Sequence, residues 1–153
     1  MEFSNKTEQL LLNAGWSHNR KIDISEFEKV LNEEGYVLDN NMREFLSRFG
    51  GLKVVHPHAK VPQSMDYFVI DPILATTIIE KEIINNYEKR VGENLVCIGM
   101  AFRNYMVLLL SESGKVYAGY DGFLILCGND YFKAFETICE GKDAIEIEPR
   151  FSR

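Results

Sequence analysis

Long apolar runs are missing from this 153-residue sequence: the longest, Tyr105–Leu110, falls far short of the ~18 residues needed to cross a bilayer. Residues 1–15 carry Glu2, Lys6 and Glu8 and no unbroken apolar core, which argues against a secretory signal and predicts a cytoplasmic protein. Cysteine is scarce and odd in number. Cys97, Cys127 and Cys139 lie in apolar surroundings without CxxC spacing, which predicts reduced, buried thiols rather than a disulfide framework. The glycines at 50, 51, 114, 119, 122 and 128 form no G-x-G-x-x-G or Walker pattern and read as helix stops, turns and strand interruptions. There is no G-x-S-x-G, and no histidine neighbours a cysteine to make a nucleophile of it. Glu33 and Glu34 are adjacent on a helical stretch and diverge by about 100°, a poor arrangement for acid–base chemistry. The sequence therefore predicts neither catalysis nor a cofactor. The remaining candidate for chemistry is His56-x-His58, whose imidazoles could converge on a metal if they sat on a strand. Pro57 between them favours a solvated loop, and no acid or cysteine stands nearby at ligand spacing.

Positive charge is also in deficit, with 17 Lys and Arg against 23 Asp and Glu and a net charge of −6. That balance disfavours nucleic acid or an anionic membrane as partner and suits a basic protein. The acidity is regional. Residues 23–39 hold Asp23, Glu26, Glu28, Glu33, Glu34 and Asp39 against Lys29 alone, and residues 129–148 hold six acids against Lys133 and Lys142.

What is present is core-forming material: 46% apolar and 12% aromatic residues, enough for one folded domain over residues 1–153. The periodicities predict a first helix at 5–14 capped by Asn5 and stopped by Gly15, with Trp16 as a core anchor. Asp23 and Glu26 have capping-box spacing for a second helix that ends at Gly35. A third, from Asp39 or Asn40, places Met42, Phe45, Leu46 and Phe49 on one face and ends at Gly50-Gly51, with Gly51 left-handed. Strands follow at 52–55 and 67–70, then one helix from Asp71-Pro72 to about Arg90. Four strands come next, at about 95–100, 105–111, 115–120 and 123–127, with Glu112-Ser113-Gly114 and Asp121-Gly122 as hairpin turns. Several of these strands are apolar on both sides, so helices should cover both faces of the sheet. Asn129 or Asp130 starts a last helix stopped by Gly141, and Ile145 and Ile147 suggest a short closing strand.

A family resemblance rests on particular residues. Ala14-Gly15-Trp16, Arg20, Ile22-Asp23, Glu34-Gly35, Glu44-Phe45-Leu46 and Phe49-Gly50-Gly51-Leu52 resemble the N-terminal half of SUKH-superfamily immunity proteins. In particular, they resemble the subgroup with a Gly-Trp/Arg opening. Asp71-Pro72 with Ala75, Gly99, Gly114-Lys115-Val116-Tyr117, Gly128 and Glu140-Gly141 resemble the second half, so the likeness spans residues 9–141. It implies an α+β domain whose mixed central sheet of about six strands is flanked by N-terminal, middle and C-terminal helices.

The resemblance also implies a non-catalytic immunity protein that neutralises the cognate toxin of a bacterial polymorphic toxin system, often a nuclease. The alternatives are a regulatory or scaffolding adaptor of the same superfamily and, last, a small metal enzyme using His56 and His58. No contact residue transfers by motif. The expected partner surface is acidic, at Glu33, Glu34 and Asp39, with Tyr120 and Asp121 at a hairpin tip as a second patch. Gly15, Trp16, Arg20, Phe49, Gly50, Gly51 and Leu52 are expected to be structural.

Overall fold

Ser4, rather than Asn5, starts the first helix of the chain. In the computed structural model, which describes residues 2–149, Ser4 is extended and its hydroxyl accepts from the Thr7 backbone N–H above α1 (Asn5–Asn13). The Ser4 and Thr7 hydroxyls also donate to Glu140, so the cap doubles as a tie to the far end of the chain. The second helix departs from expectation in the same local way. Asp23 accepts from the backbone N–H and hydroxyl of Ser25, closing a turn, and α2 (Ser25–Glu33) begins after it without a side-chain cap. By contrast, Asp39 caps α3 (Asn40–Phe49) by accepting from Met42 N–H at 2.8 Å.

The predicted helix from Pro72 to Arg90 is two helices. Asp71 caps α4 (Pro72–Ile78), but Ile79 and Glu80 are extended before α5 (Lys81–Val91). Thr76-Thr77-Ile78-Ile79 is a run of β-branched residues, which lose rotamer freedom in a helix. The Thr76 and Thr77 hydroxyls donate back to Ile73 O and Leu74 O, which further loosens the turn.

The sheet contains β1 (Lys53–Pro57), β2 (Met65–Val69), β3 (Leu95–Ala101), β4 (Met106–Ser111), β5 (Val116–Tyr120), β6 (Phe123–Gly128) and β7 (Ile145–Glu146). Their spatial order is their chain order. The fold is α+β, as expected. The sheet is not mixed, however: among the described residues it has seven strands, and every neighbouring pair is antiparallel. Short loops join four of those pairs, and a short loop can only connect antiparallel neighbours.

The pairing register shows which helices cover which face. Val69 pairs with Met100, Met100 with Val107 and Val107 with Gly119, so these four share one face, and Phe68 belongs to the other. A Cβ on Gly119 would lie 2.7 Å from the Tyr87 ring, so α5 presses on the first face where a side chain cannot fit. Phe135 of α6 (Tyr131–Glu140) lies 4.9 Å from Phe68, ring centre to ring centre, and covers the second. Helix α1 packs beside α6, whereas α2 packs on α4 and α4 on β3. Helix α2, with Glu26, Glu28 and Glu33, therefore lies on the α4 side, whereas α6, with Glu136 and Glu140, covers the opposite face.

Candidate functional site

Two regions concentrate the residues singled out by sequence. The first is a corner between α1 and β1. Trp16, 3% exposed, stacks on Phe49 with ring centres 5.8 Å apart and planes 6° from parallel. Arg20 donates to Arg48 O and Gly50 O, each at 2.8 Å, and so satisfies carbonyls left open at the end of α3. A Cβ at Gly50 would sit 2.5 Å from Leu46 O, and Gly51 has φ +84°, the left-handed value expected for it. Gly51 N–H then donates to Ile70 O, and Ile70 N–H donates to Leu52 O, which starts the pairing of β1 with β2.

An open cleft of about 740 Å³ beside this corner is lined by Arg20, Lys21, Arg43 and Arg48. Its arginines are already engaged. Arg43 is paired with Glu28 at 2.7 Å, and Arg48 lies over the Trp16 and Phe49 rings and reaches the Tyr131 hydroxyl. This corner is architecture.

The second region is the end of the sheet where the β3–β4 and β5–β6 turns sit side by side. Phe102, Arg103 and Asn104 form the first turn with φ of 54°, 54° and 65°, three successive non-glycine residues in left-handed conformation. That conformation costs about 1–2 kcal/mol per residue for L-amino acids and is ordinarily adopted singly. The turn is held by Arg103 N–H donating to Tyr67 O, by the Arg103 guanidinium donating to Met65 O, and by Tyr105 N–H donating to Ala101 O. In the second turn Asp121 is left-handed as well, with φ 48°, and its carbonyl accepts from the Tyr87 hydroxyl at 2.6 Å.

Tyr105 and Tyr120 stand above the two turns, 70% and 51% exposed, with ring centres 6.2 Å apart. Below them runs a groove of about 360 Å³, floored by Ile78, Ile79, Ile83, Met100 and Val107 and rimmed by Arg103 and Asp121. A second hollow, of about 540 Å³, adjoins it across Arg103 and Tyr105 and reaches His58, Lys60 and Val61. Ten large apolar side chains are markedly exposed among the described residues. Six of them, Val61, Met65, Ile78, Tyr105, Tyr120 and Phe123, are at this end.

Of the acidic surface residues, Glu33 and Glu34 are exposed at the end of α2 and line neither hollow. Asp39 is half-buried and spends one oxygen on the α3 cap. The predicted patch and the predicted hairpin tip are thus separate places. Much of the second acidic stretch is occupied in the fold. Asp130 caps α6, Glu140 holds Ser4 and Thr7, and Glu136 meets Lys133 at 3.1 Å and Lys142 at 3.3 Å, contacts that lower its pKa.

Sequence reasoning weighs Arg103-Asn104 as a polar turn between strands or a phosphate contact and favours the turn, which the structure has; it misses Tyr105, Ile78 and Ile79 as site residues. A signal existed at Tyr105: the connection between strong strands reads Phe-Arg-Asn-Tyr, with no glycine or proline to make the turn easy.

The chemistry of the remaining candidates is quiet. Cys97, Cys127 and Cys139 are free and buried, as expected, and burial pushes their thiols up to about 11, 12 and 12, away from the reactive thiolate. His56 is 1% exposed, its Nδ1 donates to Pro57 O, and burial lowers its pKa. His58 Nδ1 accepts from Lys60 and Val61 N–H. Among the described residues no three His, Cys, Asp or Glu side chains gather in a metal-binding group, and no helix is long and apolar enough to cross a membrane.

No curated protein and no solved structure matches the chain. The model of the SUKH-3 immunity protein family matches residues 3–141, nearly the whole sequence and both regions just described. On that match the chain belongs to the SUKH-3 immunity protein family.

Proposed function

We propose that this chain is a cytoplasmic immunity protein that binds the cognate toxin of a bacterial polymorphic toxin system and neutralises it by protein–protein contact, without catalysis of its own. The observation that carries this reading is the family match over residues 3–141. The toxin is proposed to be of nuclease type. Such an enzyme presents cations for nucleic acid, and a partner of net charge −6 complements them. Glu33 and Glu34 form the exposed part of that field, Asp39 adds its charge from the cap, and Tyr120 and Asp121 are contacts. Direct binding to nucleic acid or membrane forms no part of the reading. The Gly15-Trp16, Arg20 and Phe49–Leu52 elements are what supports reading the chain as a member of the subgroup with a Gly-Trp/Arg opening.

Co-expression with the toxin domain encoded beside this gene tests the proposal. The expected result is rescue of growth together with a stable complex on gel filtration; continued toxicity with the immunity chain folded and abundant overturns it. Steering predicts that association slows as ionic strength rises past about 0.1 M. Reversing Glu33 and Glu34 together to lysine should slow association about tenfold while leaving dissociation nearly unchanged, as read by surface plasmon resonance. A salt-independent association rate removes the electrostatic part.

A further inference from the structure

We infer that the toxin docks on the turn end of the sheet, with Tyr105 and Tyr120 as anchors, rather than on the acidic face of α2. This rests on the reading of the chain as an immunity protein and adds the surface and the chemistry of the segment it takes. Exposed apolar area is the first reason. Isolated apolar side chains on a surface are ordinary, but six of the ten markedly exposed ones share this end. The second is the geometry of the groove between the tyrosines and the α4–α5 break. Tyrosines beside a preformed apolar floor are what interfaces use as anchors, because they bring large area at small entropy cost. The third is the strained turn. The chain holds three successive left-handed non-glycine residues immediately before Tyr105, so the turn that carries the ring is kept at a cost in backbone energy.

Charge identifies the occupant. Arg103 and Asp121 line the groove, and Lys60 lines the adjoining hollow with Arg103 and Asp66. Asp66 is 6% exposed and accepts from Tyr67 N–H, and Lys60, Arg103 and Asp121 are in no ion pair among the described residues. The Arg103 guanidinium is fixed by Met65 O and Ser64 Oγ, so it is pre-organised. The fitting partner is a toxin segment with an aliphatic or aromatic side chain entering the groove. A carboxylate on that segment meets Arg103 and Lys60, and a cation meets Asp121.

Titration calorimetry with the purified toxin domain tests this on the full chain. Tyr105→Ala with Tyr120→Ala should raise Kd about a hundredfold while melting as the wild type does, since both rings are exposed. Arg103→Asn keeps a residue that tolerates the left-handed backbone, removes the cation, and should raise Kd about tenfold. Hydrogen exchange should show protection over 101–107 and 119–123 in the complex. A wild-type complex with the double tyrosine variant within threefold of it, or with protection confined to 25–36, overturns the docking face and leaves the immunity function standing. An unaltered Kd for Arg103→Asn overturns the charge assignment. A wild-type chain that forms no complex overturns the function and the docking face together.

Discussion

The corner at Trp16 and the turn end at Tyr105 use similar materials to opposite purpose. Both combine aromatic rings, an arginine bonded to backbone carbonyls, and residues with positive φ. At the corner the rings are buried, the left-handed position is glycine, and Arg20 closes the end of a helix. At the turn end the rings are exposed, the left-handed positions are Phe102, Arg103, Asn104 and Asp121, and Arg103 ties one surface loop to another. Backbone strain is relieved at the corner by residue choice and retained at the turn end. The difference teaches that the corner's residues are spent on holding the fold, whereas the docking surface proposed above lies elsewhere.

The comparison breaks first at Trp16. Trp16→Ala removes a buried indole stacked on Phe49 and should cost about 3–5 kcal/mol, a fall in Tm of roughly 10 °C for a chain of this size. The paired change at Tyr105 should move Tm by no more than about 2 °C, because exposed substitutions fall within about 0.5 kcal/mol. Calorimetric melts of the two variants decide the matter; equal losses would mean that the turn end is as structural as the corner. Gly51→Val comes next. A β-branched residue at φ +84° is strained whatever the space around it, and the cost should be about 1–3 kcal/mol by urea titration. Wild-type stability would show that the corner can close without the left-handed residue.

Much of the fold was legible because its signals are local. Asp39, Asp71 and Asp130 each cap the helix they precede, and Gly114 is left-handed in its hairpin with φ 92°, since a cap or turn depends on a few adjacent residues. Where two local signals competed, the weaker-looking one won. The apolar stripe Ile79, Ile83, Tyr87 suggested one helix, but the β-branched run across Ile78 and Ile79 divided it. The antiparallel order was hidden behind an implied mixed sheet, although the turn signals at 112–114 and 121–122 already demanded hairpins. The groove was beyond reach for a different reason. Its walls come from residues as far apart as Ile78 and Asp121, brought together only by sheet register and by the break between two helices. Charge density pointed to Glu33 and Glu34 because it can be counted along a chain, while exposure of Tyr105 cannot.

Asp121 gives the smallest expected effect and the sharpest separation of the two roles. It is exposed, left-handed at φ 48°, and its carbonyl serves Tyr87. Asp121→Gly keeps that carbonyl and relieves the side-chain penalty, partly offset by the greater freedom glycine gives the unfolded chain. The net should be a gain of about 0.5 kcal/mol, or roughly 1–2 °C in Tm. The same change removes the carboxylate at the groove rim and should weaken toxin binding about threefold, chiefly through faster dissociation. Stability and affinity then move in opposite directions at one residue, as expected where strain is kept for contact rather than for folding. If both rise together, the left-handed aspartate is a turn residue like any other, and the anchoring role narrows to the tyrosines.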